Sequence, residues 1–492
     1  MKIGFDNDKY LSMQSEHIRE RIGQFGDKLY LEFGGKLFDD YHASRVLPGF
    51  APDSKLRMLL QLADQAEIVI VISASDIEKN KVRQDLGITY DVDVLRLIQE
   101  FQDKGLYVGS VVITQYSGQS GADQFKTKLE HRDIKVYRHY CIEGYPSNVP
   151  LIVSDEGYGK NDYIETTRPL VIITAPGPGS GKMATCLSQL YHENKRGIKA
   201  GYAKFETFPI WNLPLKHPVN LAYEAATADL NDVNMIDPYH LEAYGITTVN
   251  YNRDVDIFPV LNAIFEGIYG ESPYKSPTDM GVNMAGFCIM DDEACCEASK
   301  QEIIRRYYHA LNRLAKEEGT SDEVYKINLL MNKAKIDSTM RGVIAPCLER
   351  AKVSGGPAAA MELNDGTIVT GKTSSLLGAS AALLLNAIKV LGDIPHNIHL
   401  IAPSAIEPIQ PLKTQYMGSK TPRLHTDEVL IALSMSAATD ETAKKALAQL
   451  PKLRGCQVHT SVMLSDVDIK VFSKLGVQLT SEPVYEHKKL YH

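Results

Sequence analysis

Leu170-Val-Ile-Ile-Thr-Ala-Pro-Gly-Pro-Gly-Ser-Gly-Lys-Met183 is the stretch that decides the fold class. Its first five residues are an apolar, mostly β-branched run of strand type. Gly177, Gly179 and Gly181 then interrupt any regular element, and Lys182 follows. Beyond Met183, Leu187, Leu190 and Tyr191 recur at helical spacing. A strand that feeds a helix through a short loop is the building unit of a parallel sheet covered by helices. The same unit is an anion cradle. Glycines let backbone amides turn toward a ligand, and the helix start adds partial positive charge. Gly177, Gly179, Ser180, Gly181 and Lys182 are therefore expected to hold phosphate. The loop departs twice from the common G-x-x-x-x-G-K-[ST] pattern: Pro176 holds the place of the first glycine, and Met183 stands where a hydroxyl would meet Mg²⁺.

A second stretch, Gly366-Thr-Ile-Val-Thr-Gly371-Lys372-Thr373, satisfies that pattern outright. Its interior is strand-like, however, and Asn364-Asp365-Gly366 reads as a hairpin turn. A phosphate loop needs flexible residues between its glycines, so this match is read as a hairpin joined to a helix over 374–391.

Outward from the glycine loop, strand-like runs at 28–33, 68–73, 107–114, 135–140, 200–205 and 249–251 alternate with helical patterns at 54–64, 92–103, 121–131 and 183–195. The run Ile68-Val-Ile-Val-Ile72 is continuously apolar, as a strand buried on both faces must be. The fold class is α/β: multidomain, with a mostly parallel doubly wound sheet, a helical segment and a smaller C-terminal α/β domain. The expected domains are 1–290, 291–350 and 351–492. The last holds the hairpin, the long helix and a strand at 398–401, and closes with segments at 457–460, 467–474 and 477–480.

A chain of 492 residues is too long for one core, and 44% hydrophobic with 23% charged residues is ordinary for a globular protein. A net charge of −8 argues against a nucleic-acid partner. No apolar run reaches membrane-spanning length, the N-terminus turns polar at once, and seven cysteines make an unpromising disulfide framework. The expectation is a cytoplasmic protein without membrane partners; assembly into a homo-oligomer stays open.

Ligands of open parallel sheets sit beyond the carboxyl ends of strands. Gly34, Gly35 and Lys36 fall there, after the first strand. Asp76 follows the apolar strand 68–73, and Asp291 follows the run Ala285-Gly-Phe-Cys-Ile-Met290, which reads as a strand; both are candidate metal ligands. The adjacent Cys295 and Cys296 lack the spacing of a zinc pair. Lys204 ends the strand after the glycine-loop helix, and His217 closes a proline-stiffened loop that holds the one tryptophan, Trp211. Lys204 and His217 are the candidate catalytic residues.

Lys28-Leu-Tyr-Leu-Glu-Phe-Gly-Gly-Lys36 with Asp39-Asp-Tyr-His-Ala-Ser-Arg45, the run 174–183, Trp211-Asn-Leu-Pro-Leu-Lys-His217 and Tyr274-Lys-Ser-Pro-Thr-Asp-Met-Gly-Val-Asn-Met284 together resemble the bacterial uncharacterised protein family 0371, also described as domain of unknown function 1846. The resemblance covers essentially the whole chain, implies a cytoplasmic bacterial protein and supplies no reaction. Residues 170–204 are also similar to the opening of the dethiobiotin-synthetase and cobyric-acid-synthase group of ATP-dependent ligases. That similarity implies Lys182 as the loop lysine and Lys204, in Gly201-Tyr-Ala-Lys-Phe205, as the second lysine on substrate or phosphate.

The resulting expectation is a protein that binds a nucleotide or phosphorylated metabolite, with ATP and Mg²⁺ as the cofactors in view, for phosphoryl transfer or ATP-dependent ligation. A non-catalytic nucleotide sensor and a sugar-phosphate transferase or isomerase are the alternatives.

Overall fold

The computed structural model describes residues 2–26, 28–34, 37–38, 40–83 and 86–486. Its largest sheet is built from β1 (Leu29–Phe33), β2 (Ala66–Ser73), β3 (Val108–Tyr116), β4 (Lys135–Tyr140), β5 (Leu170–Thr174), β6 (Gly201–Phe205) and β7 (Gly281–Val282). The order is β7-β6-β1-β5-β2-β3-β4, and every neighbouring pair is parallel. The strands after β1 progress to one side, then β5 inserts between β1 and β2 and the chain continues to the other side. β5 thus lies where the winding reverses, the position at which open α/β sheets bind ligands.

The apolar sequences of these strands are explained by two cores. Leu29, Leu31, Ile68, Ile70, Ile72 and Ile172 pack in one cluster. Their alternating neighbours Tyr30, Val69, Val71, Val171 and Ile173 pack in another. Side chains of a strand alternate between faces, so both faces of the sheet are buried. The helices α1 (Asn7–Gln24), α2 (Tyr90–Asp103), α3 (Lys182–Lys195) and α4 (Asn252–Tyr269) contribute buried residues to these clusters.

The chain divides into two compact units, 2–224 with 231–296, and 225–230 with 297–492. The division falls inside the helix Asp292–Ala315. The helical stretch expected to stand alone at 291–350 is mostly part of the second unit: Ile344–Ser354 packs on the C-terminal sheet, as does α5 (Ala379–Leu391). That sheet has the order β9-β8-β10-β11, from β8 (Ala358–Glu362), β9 (Ile368–Lys372), β10 (Gln457–Thr460) and β11 (Gln478–Ser481). Its first three strands pair antiparallel and the last pair is parallel. Arg341, buried, donates to the Val458 and Gln478 carbonyls at 3.2 and 2.6 Å and so ties the parallel pair together.

The second unit contains the Gly366–Thr373 pattern. Gly366-to-Lys372 is the return arm of an antiparallel hairpin. A Cβ on Gly371 would lie 2.3 Å from the Leu383 amide nitrogen. That glycine lets α5 approach the sheet and has no part in a phosphate loop.

Three expectations need correction. The helix expected over 374–391 starts only at Ala379, because the Ser374 hydroxyl accepts from the amides of Leu376 and Leu377 and holds a turn instead. The run 398–401 is no strand; Leu400 and Ile401 are buried in the core through their side chains alone. Residues 285–288 form a 3-10 turn rather than a strand. There, Gln14 accepts from the Met284 amide and the Lys9 ammonium donates to the Phe287 carbonyl, so side chains of α1 satisfy backbone groups that a sheet would otherwise pair.

His425 lies 3.0 Å from the buried carboxylate of Asp468, whose other oxygen accepts from the Thr426 amide. The bond to Asp468 raises the His425 pKa, against the smaller opposing effect of burial. A histidine whose folded pKa is raised stabilises fully below its unfolded value near 6.5, and that contribution disappears as pH rises through the folded value. The melting temperature of the native protein should therefore exceed that of His425→Asn most at about pH 6, with the gap shrinking toward about pH 8. A gap that is constant or widens with pH would refute this assignment.

Candidate functional site

The loop between β5 and α3 is fixed by its neighbours. The Ser180 hydroxyl donates to the Gly177 carbonyl at 2.8 Å, and the Thr114 hydroxyl, at the end of β3, donates to the Ser180 carbonyl at 2.7 Å. Gly177 has no room for a side chain, since a Cβ would lie 2.3 Å from the Tyr90 hydroxyl oxygen. Gly179 and Gly181 have φ of 75° and 84°, which glycine alone adopts freely.

Gly181 caps α3 without any side-chain cap, and the first amide to return to the loop is that of Thr185, to the Gly181 carbonyl at 2.9 Å. The amides from Gly179 to Ala184 bond to no described residue. Six consecutive amides without partners among the described residues, at a helix start, give the loop partial positive character. Lys182 stands at its edge, half-buried and without a carboxylate partner among the described residues. Thr185, fully buried one turn into the helix, has a hydroxyl with no hydrogen-bond partner among the described residues. Ser188 is occupied instead by Asn161.

Lys204 has a different setting. β1 separates β6 from β5, and Glu32 of β1 is level with Lys204 on one side and Ile173 on the other. The Lys204 ammonium is paired with Asp254 of α4, lies 2.7 Å from Glu206 and donates to the Tyr251 hydroxyl at 2.6 Å. Burial alone would depress its pKa; Asp254, Glu206 and Glu32 together outweigh burial and raise it. Glu32 in turn accepts from the Tyr202 hydroxyl at 2.7 Å. The expected partner of Lys182 on a phosphate is thus enclosed by carboxylates. Burial lifts the Glu206 carboxyl above its ordinary value, Lys204 opposes this, and Asp254 adds to the lift.

The remaining candidates are scattered. Gly34 lies at the end of β1, beside Phe205; Gly35 and Lys36 are outside the described residues. Asp76 sits in the short helix after β2 and pairs with Lys81 at 3.2 Å. Asp291 accepts from the Ala294 amide at 3.0 Å, a helix-start contact. Its neighbour Asp292 is the one that meets His217, at 3.0 Å, with the Cys296 sulfur 3.5 Å from the same Nε2. These three donors form a compact group of potential metal-holding atoms. The Nδ1 of His217, however, accepts from the Val219 amide at 3.3 Å, which favours a proton on Nε2 and opposes a metal there.

The sequence reading missed Asp254. Asp254 is 50 residues from Lys204, and only the fold brings it there.

Two family models together match nearly the whole chain. The model described as "Domain of unknown function DUF1846, N-terminal" matches residues 3–335, and that described as "Domain of unknown function DUF1846, C-terminal" matches 339–491. Among similar curated proteins, a UPF0371 protein of Corynebacterium aurimucosum is 59% identical over 487 residues, which is 99% of this chain and 98% of the relative. A UPF0371 protein of Streptococcus pyogenes serotype M5 is 57% identical over 489 residues, 99% of each chain.

Replacing Lys204 would leave three carboxylates facing one another without their cation. Lys204→Met should destabilise the protein by about 3–5 kcal/mol in urea unfolding, as losing one partner of a buried pair does. Lys182→Met, where no carboxylate is left behind, should change stability by no more than about 0.5 kcal/mol. Equal effects of the two substitutions would contradict the enclosure of Lys204.

Proposed function

The chain belongs to the UPF0371 family, with its two DUF1846 domains, and from that premise we propose that it binds a nucleotide or another phosphorylated metabolite at Gly177–Lys182. The observation that carries the reading is the run of amides from Gly179 to Ala184 beyond the carboxyl end of β5 that, like Lys182 beside them, have no partner among the described residues. Backbone amides would take the phosphate oxygens, and Lys182 would supply the compensating charge.

Phosphoryl transfer or ATP-dependent ligation is the chemistry this arrangement would serve, and ATP is the first ligand to test. For the Mg²⁺ that accompanies ATP, the loop offers no hydroxyl at Met183. The buried, unpartnered Thr185 hydroxyl is the group that could take that part. Among the described residues no helix is long and apolar enough to cross a membrane, which accords with the cytoplasmic setting proposed for such a ligand.

One observation favours a second reading, a nucleotide sensor without turnover. Lys204 is occupied by Asp254 and Glu206, so Lys182 would face the phosphates without the second cation that the ligase similarity implied.

A thermal-shift series with ATP, GTP, sugar phosphates and pyrophosphate tests binding. At about 100 times its dissociation constant, a true ligand should stabilise the protein by roughly 2.7 kcal/mol. Lys182→Ala should weaken it by about 1.5–3 kcal/mol, while Lys372→Ala, on the exposed hairpin, should leave it unchanged. No stabilisation by any of these compounds would remove the reading; binding of ATP without hydrolysis or transfer would select the sensor.

A further inference from the structure

A cavity of about 380 Å³ opens in the first unit and shares no lining residue with the glycine loop. Its size is at the lower end of small-molecule sites. One wall is aromatic: the rings of Trp211 and Phe287 meet edge-on with centroids 5.7 Å apart. The Trp211 indole donates to the Asn283 carbonyl at 2.7 Å. The Asn283 side chain is itself buried and bonded to the Thr207 and Pro209 carbonyls and the Ala285 amide. That wall is therefore held in place before any ligand arrives.

The lining also carries polar groups whose bonding capacity is only partly used. Glu206 Oε1 accepts from the Tyr251 hydroxyl at 2.6 Å and faces Lys204, whereas Oε2 accepts from no described residue. Asn250 is 5% exposed; its Oδ1 accepts from the Tyr251 amide, and its Nδ2 donates to no described residue. Arg21 donates only to the backbone carbonyls of Asp279 and Gly281 and forms no ion pair with a described carboxylate. Arg21 and Glu206 approach the same residue. The guanidinium is 3.4 Å from the Gly281 carbonyl, and Glu206 Oε2 lies 4.0 Å from where a Cβ on Gly281 would be. The cavity thus brings near one glycine a carboxyl oxygen that accepts no bond and a guanidinium without an ion-pair partner among the described residues, with Trp211 and Phe287 in the same lining. Two carboxylates, those of Glu206 and Asp254, lie against the single ammonium of Lys204, and Glu32 is level with it on the next strand, so carboxylates outnumber ammonium groups around Lys204. A cationic group from a ligand would redress that imbalance.

We propose that this cavity binds a small zwitterion of the α-amino-acid class. Its ammonium would sit on Glu206 Oε2, its carboxylate on Arg21 with the Asn250 amide as a further donor, and its apolar side chain against Trp211 and Phe287. The site stands independently of any phosphate at the glycine loop.

Calorimetric titration of the full chain tests it, with L-phenylalanine, L-leucine and L-methionine as probes, against phenethylamine and hydrocinnamate, which each lack one charge of L-phenylalanine. At least one amino acid should bind, and each single-charge counterpart of L-phenylalanine should bind at least about tenfold more weakly than L-phenylalanine itself. Glu206→Gln should abolish the preference for the zwitterion over hydrocinnamate. Should that variant fold poorly through its contact with Lys204, Phe287→Ala, at a position 43% exposed, should still weaken binding by about tenfold or more in a natively folded protein. Lys182→Ala should leave amino-acid affinity unchanged. Absence of binding by all three amino acids at millimolar concentration, equal affinity for the amine or acid alone, or full affinity in Phe287→Ala would overturn the proposal.

Discussion

A seven-stranded parallel sheet buried on both faces is the constraint from which the rest of the first unit follows. Its strands place Leu, Ile and Val on alternating sides, one row into each core. Nothing polar can be displayed on such faces without a partner, so chemistry is confined to the rim where strands end. β5 enters between β1 and β2, and the glycine loop leaves from its end, fastened by Thr114 and by the Tyr90 ring over Gly177. The loop's open amides are a consequence: a rigid backbone held by groups behind it cannot fold back to satisfy its own donors.

The same rim carries the most concentrated buried charge near the candidate site. Lys204 is surrounded by Asp254, Glu206 and the Tyr251 hydroxyl, with Glu32 acting from the next strand. An ammonium so enclosed is a positioning and charge-balancing group. It fixes one oxygen of Glu206 and leaves the other directed to the cavity that Trp211 and Phe287 wall off. The two proposed sites would thus use opposite devices: partly positive backbone toward an anion at the loop, and carboxylate toward a cation at the cavity.

Much of the architecture was legible in the sequence because it depends on local pattern. Continuous apolar runs announced strands buried on both sides, and the glycine-rich break with its lysine announced the helix start. The hairpin at 364–372 could be told from a phosphate loop because its residues prefer strand geometry. Errors arose where side chains rather than periodicity satisfied the backbone: Ser374 delaying a helix, and α1 reaching over to bond the turn at 285–288.

The sequence by itself determined the α/β class, the parallel sheet, the glycine loop and the family, since each resides in contiguous residues or in long matched motifs. Only the tertiary structure decided what Lys204 does. Its neighbours Asp254 and Tyr251 are about fifty residues away along the chain, and whether a strand-end lysine meets a phosphate or a carboxylate depends on which helix follows which strand across the sheet. The cavity is likewise a tertiary fact. Arg21, Glu206, Asn250 and Phe287 come from four separated segments, and no spacing in one dimension encodes the cavity they line together.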